Sequence, residues 1–303
     1  DVEGNNFAQV GTKSLSSTTG VLFVTELGGD DTIQAGAGTK RVLAGDGADT
    51  VTLGTGDHTV FGDNGLVTYV AMDATGEGRL LLAETTDTVQ LTGGNDVISV
   101  GSGDNTILGG MGNDRITAVN NGATVTGTVA GTDVILGDNG FVQMDVVGGL
   151  FAQIATKSLP STTGAQSVAE LGGNDTINAG TGTKIVLAGD GADVVNVGLG
   201  TTNDHIVTGD NATVTFVAIG QVGAGRVLRY ETTDMVQLTG GNDRIATGDG
   251  NNTVLGGMGM DEITLGAGTD TVLGDNGFVQ MDVEGNNFAQ VGTKSLSSTT
   301  GVL

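Results

Sequence analysis

The stretch GGMGNDRIT, Gly109 to Thr117, holds glycine at its first, second and fourth positions, aspartate at the sixth and isoleucine at the eighth. The same nine-residue phrasing precedes it in frame as LTGGNDVIS from Leu91 and VGSGDNTIL from Val100. It returns as LTGGNDRIA, TGDGNNTVL, GGMGMDEIT and LGAGTDTVL from Leu238, and looser copies run from Glu26 as ELGGDDTIQ, AGAGTKRVL, AGDGADTVT and LGTGDHTVF. The eighth position keeps a branched aliphatic: Ile33, Val42, Val51 and Val60 in the first run, Ile245, Val254, Ile263 and Val272 in the last. A fixed short period marks a stacked-repeat architecture. Six glycine-rich residues turn the chain through angles that a Cβ disfavours, and the last three read as a short strand with one aliphatic side chain pointing inward.

Two longer periods enclose the nonapeptides. DVEGNNFAQVGTKSLSSTTGVL, the first 22 residues, recurs without change from Asp282 to Leu303, a period of 281 residues. This reads as a unit cut from a longer tandem array; the opening DVEGNNFAQV has neither the Met start nor the basic and apolar regions of a signal peptide. Within the unit, the phrase beginning at Glu26 returns at Glu170 with an offset of 144. The first half-repeat is thus 1–144, with roll runs at about 26–61 and 82–136. The second is 145–281, with runs at about 170–207 and 229–273, and 282–303 begins the next unit. Each run closes on GDNG or GDNA (Asp63, Asp138, Asp210, Asp275), followed by alternating apolar and polar residues that read as β-hairpins. No segment has a helical period.

The nonapeptide pattern resembles the RTX, or hemolysin-type, calcium-binding repeat family. The resemblance implies an all-β fold, a right-handed parallel β-solenoid (β-roll) with β-hairpin insertions, in which two nonapeptides form one coil and stacked coils enclose a thin aliphatic core. It also implies Ca2+, several ions per unit, held between turns on one side by aspartate side chains and by carbonyls of the glycine-rich turn. Carboxylates stacked at the strand spacing, about 4.8 Å, repel one another unless a hard cation lies between them.

Same-side turns lie two nonapeptides apart, which sorts the sixth-position residues into two edges. Asp31 and Asp49 share an edge, with Lys40 and His58 opposite. Asp96, Asp114 and Asp133 share one, with Asp87, Asn105 and Ala123 opposite. Asp175 and Asp193 face Lys184, and Asp243 and Asp261 face Asp234, Asn252 and Asp270. Calcium is therefore expected mainly on one edge, with Lys40 and Lys184 supplying their own positive charge on the other. Asp46, Asp104, Asp190 and Asp249 are second-choice ligands. The GDN aspartates Asp63, Asp138, Asp210 and Asp275 read either as terminal calcium ligands or junctions, or as local Asx turns.

Composition bounds the function. The chain carries 35 acidic against 11 basic residues, a net charge of −24, so nucleic acid and anionic membranes are unfavourable partners. It has 56 glycines, one proline and 3% aromatics, which excludes collagen and thick aromatic cores. Without cysteine there is no thiol catalysis or disulfide. No run of 18 apolar residues spans a membrane. GAGTK at Gly36 and GTGTK at Gly180 lack phosphate-loop spacing, and neither H-E-x-x-H nor G-x-S-x-G occurs. His58 and His205 occupy related places in the halves, as repeat architecture explains. The expected protein is non-enzymatic: a bacterial extracellular or cell-surface fibre or filament whose partners are neighbouring copies of itself, with no small-molecule substrate. The alternative is the stalk of an adhesin whose binding domain lies elsewhere.

Overall fold

A computed structural model describes residues 8–12, 28–71, 74–87, 93–118, 132–157, 172–234, 240–285 and 287–295. Among these residues the secondary structure is entirely β, arranged in one nine-stranded and two eight-stranded sheets.

The two eight-stranded sheets are parallel and arise directly from the nonapeptide. In the first sheet the eighth-position side chains stand in one row, Ile33, Val51, Ile98, Ile116, Ile177, Val195, Ile245 and Ile263. The second sheet lines up Val42, Val60, Ile107, Ile135, Val186, Val207, Val254 and Val272 in the same way. The two rows face each other in a single aliphatic core that runs through every coil. β-Branched side chains suit this arrangement because they fill a pleated surface with little rotamer freedom to lose.

After every second coil the chain leaves the second sheet at a GDN phrase. It then enters an antiparallel pair: Gly65–Tyr69 with Leu80–Thr85, Gly140–Met144 with Phe151–Thr156, Ala212–Phe216 with Val227–Thr232, and Gly277–Met281 with Phe288–Thr293. These pairs hydrogen-bond to one another and, with Gln9–Gly11 at the edge, form the nine-stranded sheet. Two coils add two strands to each roll sheet, and one hairpin adds two strands to the outer sheet. At about 4.8 Å per strand all three sheets therefore advance in step.

The outer sheet packs on the second roll sheet and creates a second core. Phe61, Leu108, Leu136, Leu187, Leu255 and Leu273 point out of the roll against Val67, Tyr69, Val142, Ile154, Val214, Phe216, Tyr230 and Val279. The thin aliphatic core expected inside the coils is present, and a second core lies outside them, giving three layers. The few aromatic side chains concentrate in the second.

Candidate metal centre

The sixth-position residue stands at the entry to each roll strand, immediately before it in the first sheet, so its side chain lies at the sheet edge beside the glycine-rich turn. On the edge before the first sheet this residue is aspartate in all eight coils. The backbone N–H of Asp31 donates to Asp49 Oδ1 at 2.7 Å, and that of Asp49 to Asp96 Oδ1 at 2.7 Å. The ladder continues through Asp114, Asp175, Asp193 and Asp243 to Asp261, each bond between 2.7 and 3.0 Å.

Each carboxylate thus spends Oδ1 on the preceding coil. The Oδ2 atoms of Asp49, Asp96, Asp114, Asp175, Asp193, Asp243 and Asp261 are buried and have no hydrogen-bond partner among the described residues. A glycine opens the space in front of five of them, while Ala44 and Ala188 hold the equivalent places for Asp49 and Asp193. A Cβ on Gly62 would lie 1.9 Å from Asp96 Oδ2 and 2.4 Å from the Gly109 carbonyl oxygen. Gly109, Gly137, Gly209 and Gly256 repeat this relation with Asp114, Asp175, Asp243 and Asp261, and with the carbonyls of Gly137, Ala188, Gly256 and Gly274.

Burial raises these carboxyl groups first, and neighbouring carboxylates add to it. Asp49 is pushed up to about 6, Asp96 and Asp243 to about 7, and Asp175 to about 8. Asp114 and Asp193 stand well above the ordinary carboxylate range. Orphaned anionic oxygens beside backbone carbonyls form a hard, all-oxygen donor set of the kind calcium takes. No three His, Asp or Glu side chains gather in one cluster among the described residues, so a cation here depends on carbonyl oxygens as well. The residues present fit calcium: Asp Oδ2 atoms with the carbonyls of Gly109, Gly137, Ala188, Gly256 and Gly274 would hold it. Once bound, it would supply charge neutralisation and a bridge between coils.

The opposite edge has different chemistry. Its eight sixth-position residues are Lys40, His58, Asn105, Asp133, Lys184, His205, Asn252 and Asp270, a four-residue order that occurs twice. The Lys40 N–H donates to His58 Nδ1, the His58 N–H to Asn105 Oδ1, and the Asn105 N–H to Asp133 Oδ1. Lys184 Nζ then lies 2.9 Å from Asp133 Oδ2 and 2.5 Å from the Thr181 carbonyl, fully enclosed. An ammonium group thus faces a carboxylate and a turn carbonyl on this edge. Lys40 Nζ likewise reaches the carbonyls of Ala37 and Gly38, both at 2.8 Å. Burial lowers His205 to about 4, so it stands neutral in the row.

Three of the expected edge assignments are corrected. Asp133 lies opposite Asp96 and Asp114, because Arg115–Ala118 belongs to the first roll sheet and Asp133–Asp138 to the second. Only one crossing separates them, where counting nonapeptides gave two; Ala123 falls outside the described residues. Asp87 and Asp234 fit the nonapeptide frame in LAETTDTVQ and RYETTDMVQ, but neither segment has a glycine to turn on. Both segments instead supply outer-sheet strands, Leu80–Thr85 and Val227–Thr232. Their aspartates come back to the aspartate edge, where Asn64 Nδ2 donates to Asp87 Oδ1 and Asn211 Nδ2 to Asp234 Oδ1, both at 3.0 Å.

The GDN aspartates are junctions between coils. Asp63 accepts from the N–H of Gly94 at 3.3 Å and of Met111 at 2.5 Å, Asp138 from Asp190 at 2.5 Å, and Asp210 from Gly241 at 3.2 Å and from Met258. All of these partners are more than 30 residues away, so the bonds are not those of a local Asx turn. The following asparagine ties the exit to its neighbours: Asn64 Nδ2 donates to Asp46 Oδ1 at 2.5 Å, and Asn211 Nδ2 to Asp190 Oδ1. Asp46 and Asp190 therefore belong to this junction. Asp104 and Asp249 lie in turns of the other edge, where Asp104 Oδ1 accepts from Thr132 and Asp249 Oδ1 from Ala267. Asp275 is exposed at the end of the roll. Sequence reasoning missed the asparagines, although each GDN phrase carries one.

Comparison with known proteins agrees with this geometry. A family model, the RTX calcium-binding nonapeptide repeat (4 copies), matches residues 27–60, 84–117, 171–203, 238–272 and 259–278. No curated protein and no solved structure matches the chain significantly.

Proposed function

Since the chain belongs to the RTX calcium-binding nonapeptide-repeat proteins, we propose that it is a non-enzymatic structural segment of a secreted bacterial fibre or surface filament. It winds as a right-handed β-roll, the hand that parallel crossover connections nearly always take, and calcium stiffens it along the aspartate edge. The ladder of eight aspartates, seven of them with a buried, unpartnered Oδ2, carries this reading. A merely solvated acidic face would turn its carboxylates to water, whereas Asp49, Asp96, Asp114, Asp175, Asp193 and Asp243 are each at most 2% exposed. Such burial of charge is costly unless a counter-charge accompanies it.

The stiffening role follows from one-dimensional stacking, in which each coil is held only by its neighbours. A bridge between successive coils acts on the weakest link of such a solenoid. Proteins with these repeats are typically secreted bacterial proteins, and calcium is abundant outside cells. The test is circular dichroism of the 303-residue chain, with calcium titrated from a chelated start. The β-signal is expected to grow with calcium to a saturable end point. A complete roll in chelator above about pH 8, where these carboxyl groups are ionised, would overturn the metal staple and leave the edge as a charged face.

A further inference from the structure

We propose that the asparagine-glycine bonds where the chain leaves the roll are sites of spontaneous self-modification that the folded roll holds shut. A chain kept unfolded converts these asparagines to aspartate and isoaspartate. The inference goes beyond the structural role above, and only its calcium arm rests on that reading. Asn64 precedes Gly65, Asn139 precedes Gly140 and Asn276 precedes Gly277, whereas at the remaining exit Asn211 precedes Ala212. Asn121 and Gly122 form the same dipeptide and lie outside the described residues.

The reaction needs only water. In a mobile chain the glycine backbone nitrogen attacks the asparagine Cγ and loses its proton to solvent. The N–Cγ bond forms, the Cγ–Nδ2 bond breaks, and the amide leaves as ammonia, closing a five-membered imide. Water then opens the ring at either carbonyl, giving aspartate or isoaspartate. Glycine has no Cβ to hinder the approach of its nitrogen, and its backbone reaches the required angles most freely.

Packing explains why glycine stands beside asparagine at three of the exits. A Cβ on Gly65 would lie 2.4 Å from the Phe61 ring, and one on Gly277 would lie 2.2 Å from Leu273 Cδ2. On Gly140 it would lie 2.2 Å from Leu136 Cδ2 and 2.4 Å from the Ala155 carbonyl oxygen. At the remaining exit the residue in the place of Phe61, Leu136 and Leu273 is Thr208, and there Ala212 fits, fully buried. The large side chain that fills the second core thus fixes a glycine four residues later. The asparagine has its own task, since Asn64 and Asn211 tie the exit to flanking aspartates. The labile bond is a by-product of these two demands.

The fold removes what the reaction requires. The N–H of Gly65 donates to Thr12 Oγ1, that of Gly140 to Thr85 Oγ1 and that of Gly277 to Thr232 Oγ1, each at 3.0 Å. Each glycine also opens a paired strand, opposite Thr85, Thr156 and Thr293 respectively, so the backbone is held extended and away from the asparagine side chain. Asn64, Asn139 and Asn276 are buried, which keeps out the water that opens the ring. Ala212 N–H donates to Thr156 Oγ1 at 3.0 Å in the same way, so the exit at Asn211 differs in its Cβ and serves as an internal control. Modification would undo the exit. Aspartate at position 64 sets a third carboxylate against Asp46 and Asp87, and isoaspartate lengthens the main chain by one carbon directly before a strand that pairs from its first residue. Strand register does not absorb such a shift, because it carries the side chains off their faces.

The test ages the 303-residue chain in mildly alkaline buffer with saturating calcium, with chelator, or with concentrated urea. Circular dichroism reports the fold, and peptide mass spectrometry reads each asparagine. In urea and in chelator Asn64, Asn139 and Asn276 are expected to react while Asn211 lags. In calcium the three should be slowed at least about tenfold, because reaction then waits on local opening. Ala212→Gly should bring Asn211 up to the rate of the others in urea. Chelator-aged chains given calcium should regain β-signal only in proportion to their unmodified fraction. Equal rates in calcium and urea, a wild-type Asn211 as fast as the other three, or full recovery by modified chains would each overturn the proposal. Chelated chains that keep both a complete roll and intact amides would instead overturn the calcium staple, and the urea comparison would still decide whether the fold guards these bonds.

Discussion

Each edge aspartate divides its two oxygens between two tasks. Asp175 Oδ1 accepts from the Asp114 N–H, and its Oδ2 is left buried beside the Ala188 carbonyl. Asp175→Asn keeps an acceptor for the backbone bond and removes the charge at the candidate ligand. Isothermal titration should then show fewer or weaker calcium sites, with affinity at the altered site down about tenfold, near 1.4 kcal/mol. The raised carboxyl groups also set a pH dependence. In the unfolded chain these groups titrate near 3.8, whereas in the calcium-free roll burial pushes Asp49 to about 6, Asp96 and Asp243 to about 7 and Asp175 to about 8. A group raised on folding contributes stability that is fully present below its unfolded value and is lost as pH rises through its folded one. The β-signal and its melting midpoint in chelator should therefore be highest below about pH 4 and fall progressively from there toward about pH 9. Calcium affinity should rise over the same interval, because protons compete for the same oxygens.

At the scale of the strand, the residue after the buried aliphatic decides which sheet is covered. On the first roll sheet it is Gln34, Thr52, Ser99, Thr117, Asn178, Asn196, Ala246 and Thr264, exposed or half-buried. On the second it is Leu43, Phe61, Leu108, Leu136, Leu187, Thr208, Leu255 and Leu273, most of them in the second core. Leu187→Ala should lower unfolding free energy by about 2–5 kcal/mol, whereas Thr117→Ala, on the uncovered sheet, should stay within about 0.5 kcal/mol. Urea melts in saturating calcium compare the two. This alternation is legible in the sequence every 18 residues, and it is the signal from which the outer sheet could have been read. The inward aliphatic positions and the same-edge aspartates within a run, such as Asp31 with Asp49 and Asp243 with Asp261, were legible because glycine spacing and side-chain type repeat together; their joining into one edge across the runs was not. Asp87, Asp133 and Asp234 were not, since position in a frame does not reveal whether the backbone can turn there. Segments without glycine, such as Leu82–Thr85 at the start of LAETTDTVQ, stay extended and join the outer sheet. Non-local pairings such as Asp63 with Gly94 and Met111 depend on which coils stack together, which no local phrase records.

For the whole molecule, the two edges oppose each other in charge logic. One carries eight aspartates in line; the other balances Asp133 with Lys184 internally and places neutral His205 and asparagine between its charges. Eight of the 35 acidic residues stand on that one line, and Asp49, Asp96, Asp114, Asp175, Asp193 and Asp243 among them are shielded from bulk solvent. Simple salt screens exposed charges over a distance of about 8 Å at 0.15 M, but it cannot enter a site walled by Gly62 and the Gly109 carbonyl in the way a ligated ion can. The distinction gives a whole-chain measurement. If the edge is a metal staple, chelated protein should recover its β-signal on adding millimolar calcium chloride and should fail to do so in sodium chloride of equal or much higher ionic strength. Because each coil is stabilised only through its neighbours, the recovery should be steep in calcium, with the two roll sheets and the outer sheet forming together. Equal recovery in both salts would mean that repulsion at the surface, rather than ligation between coils, is what calcium relieves.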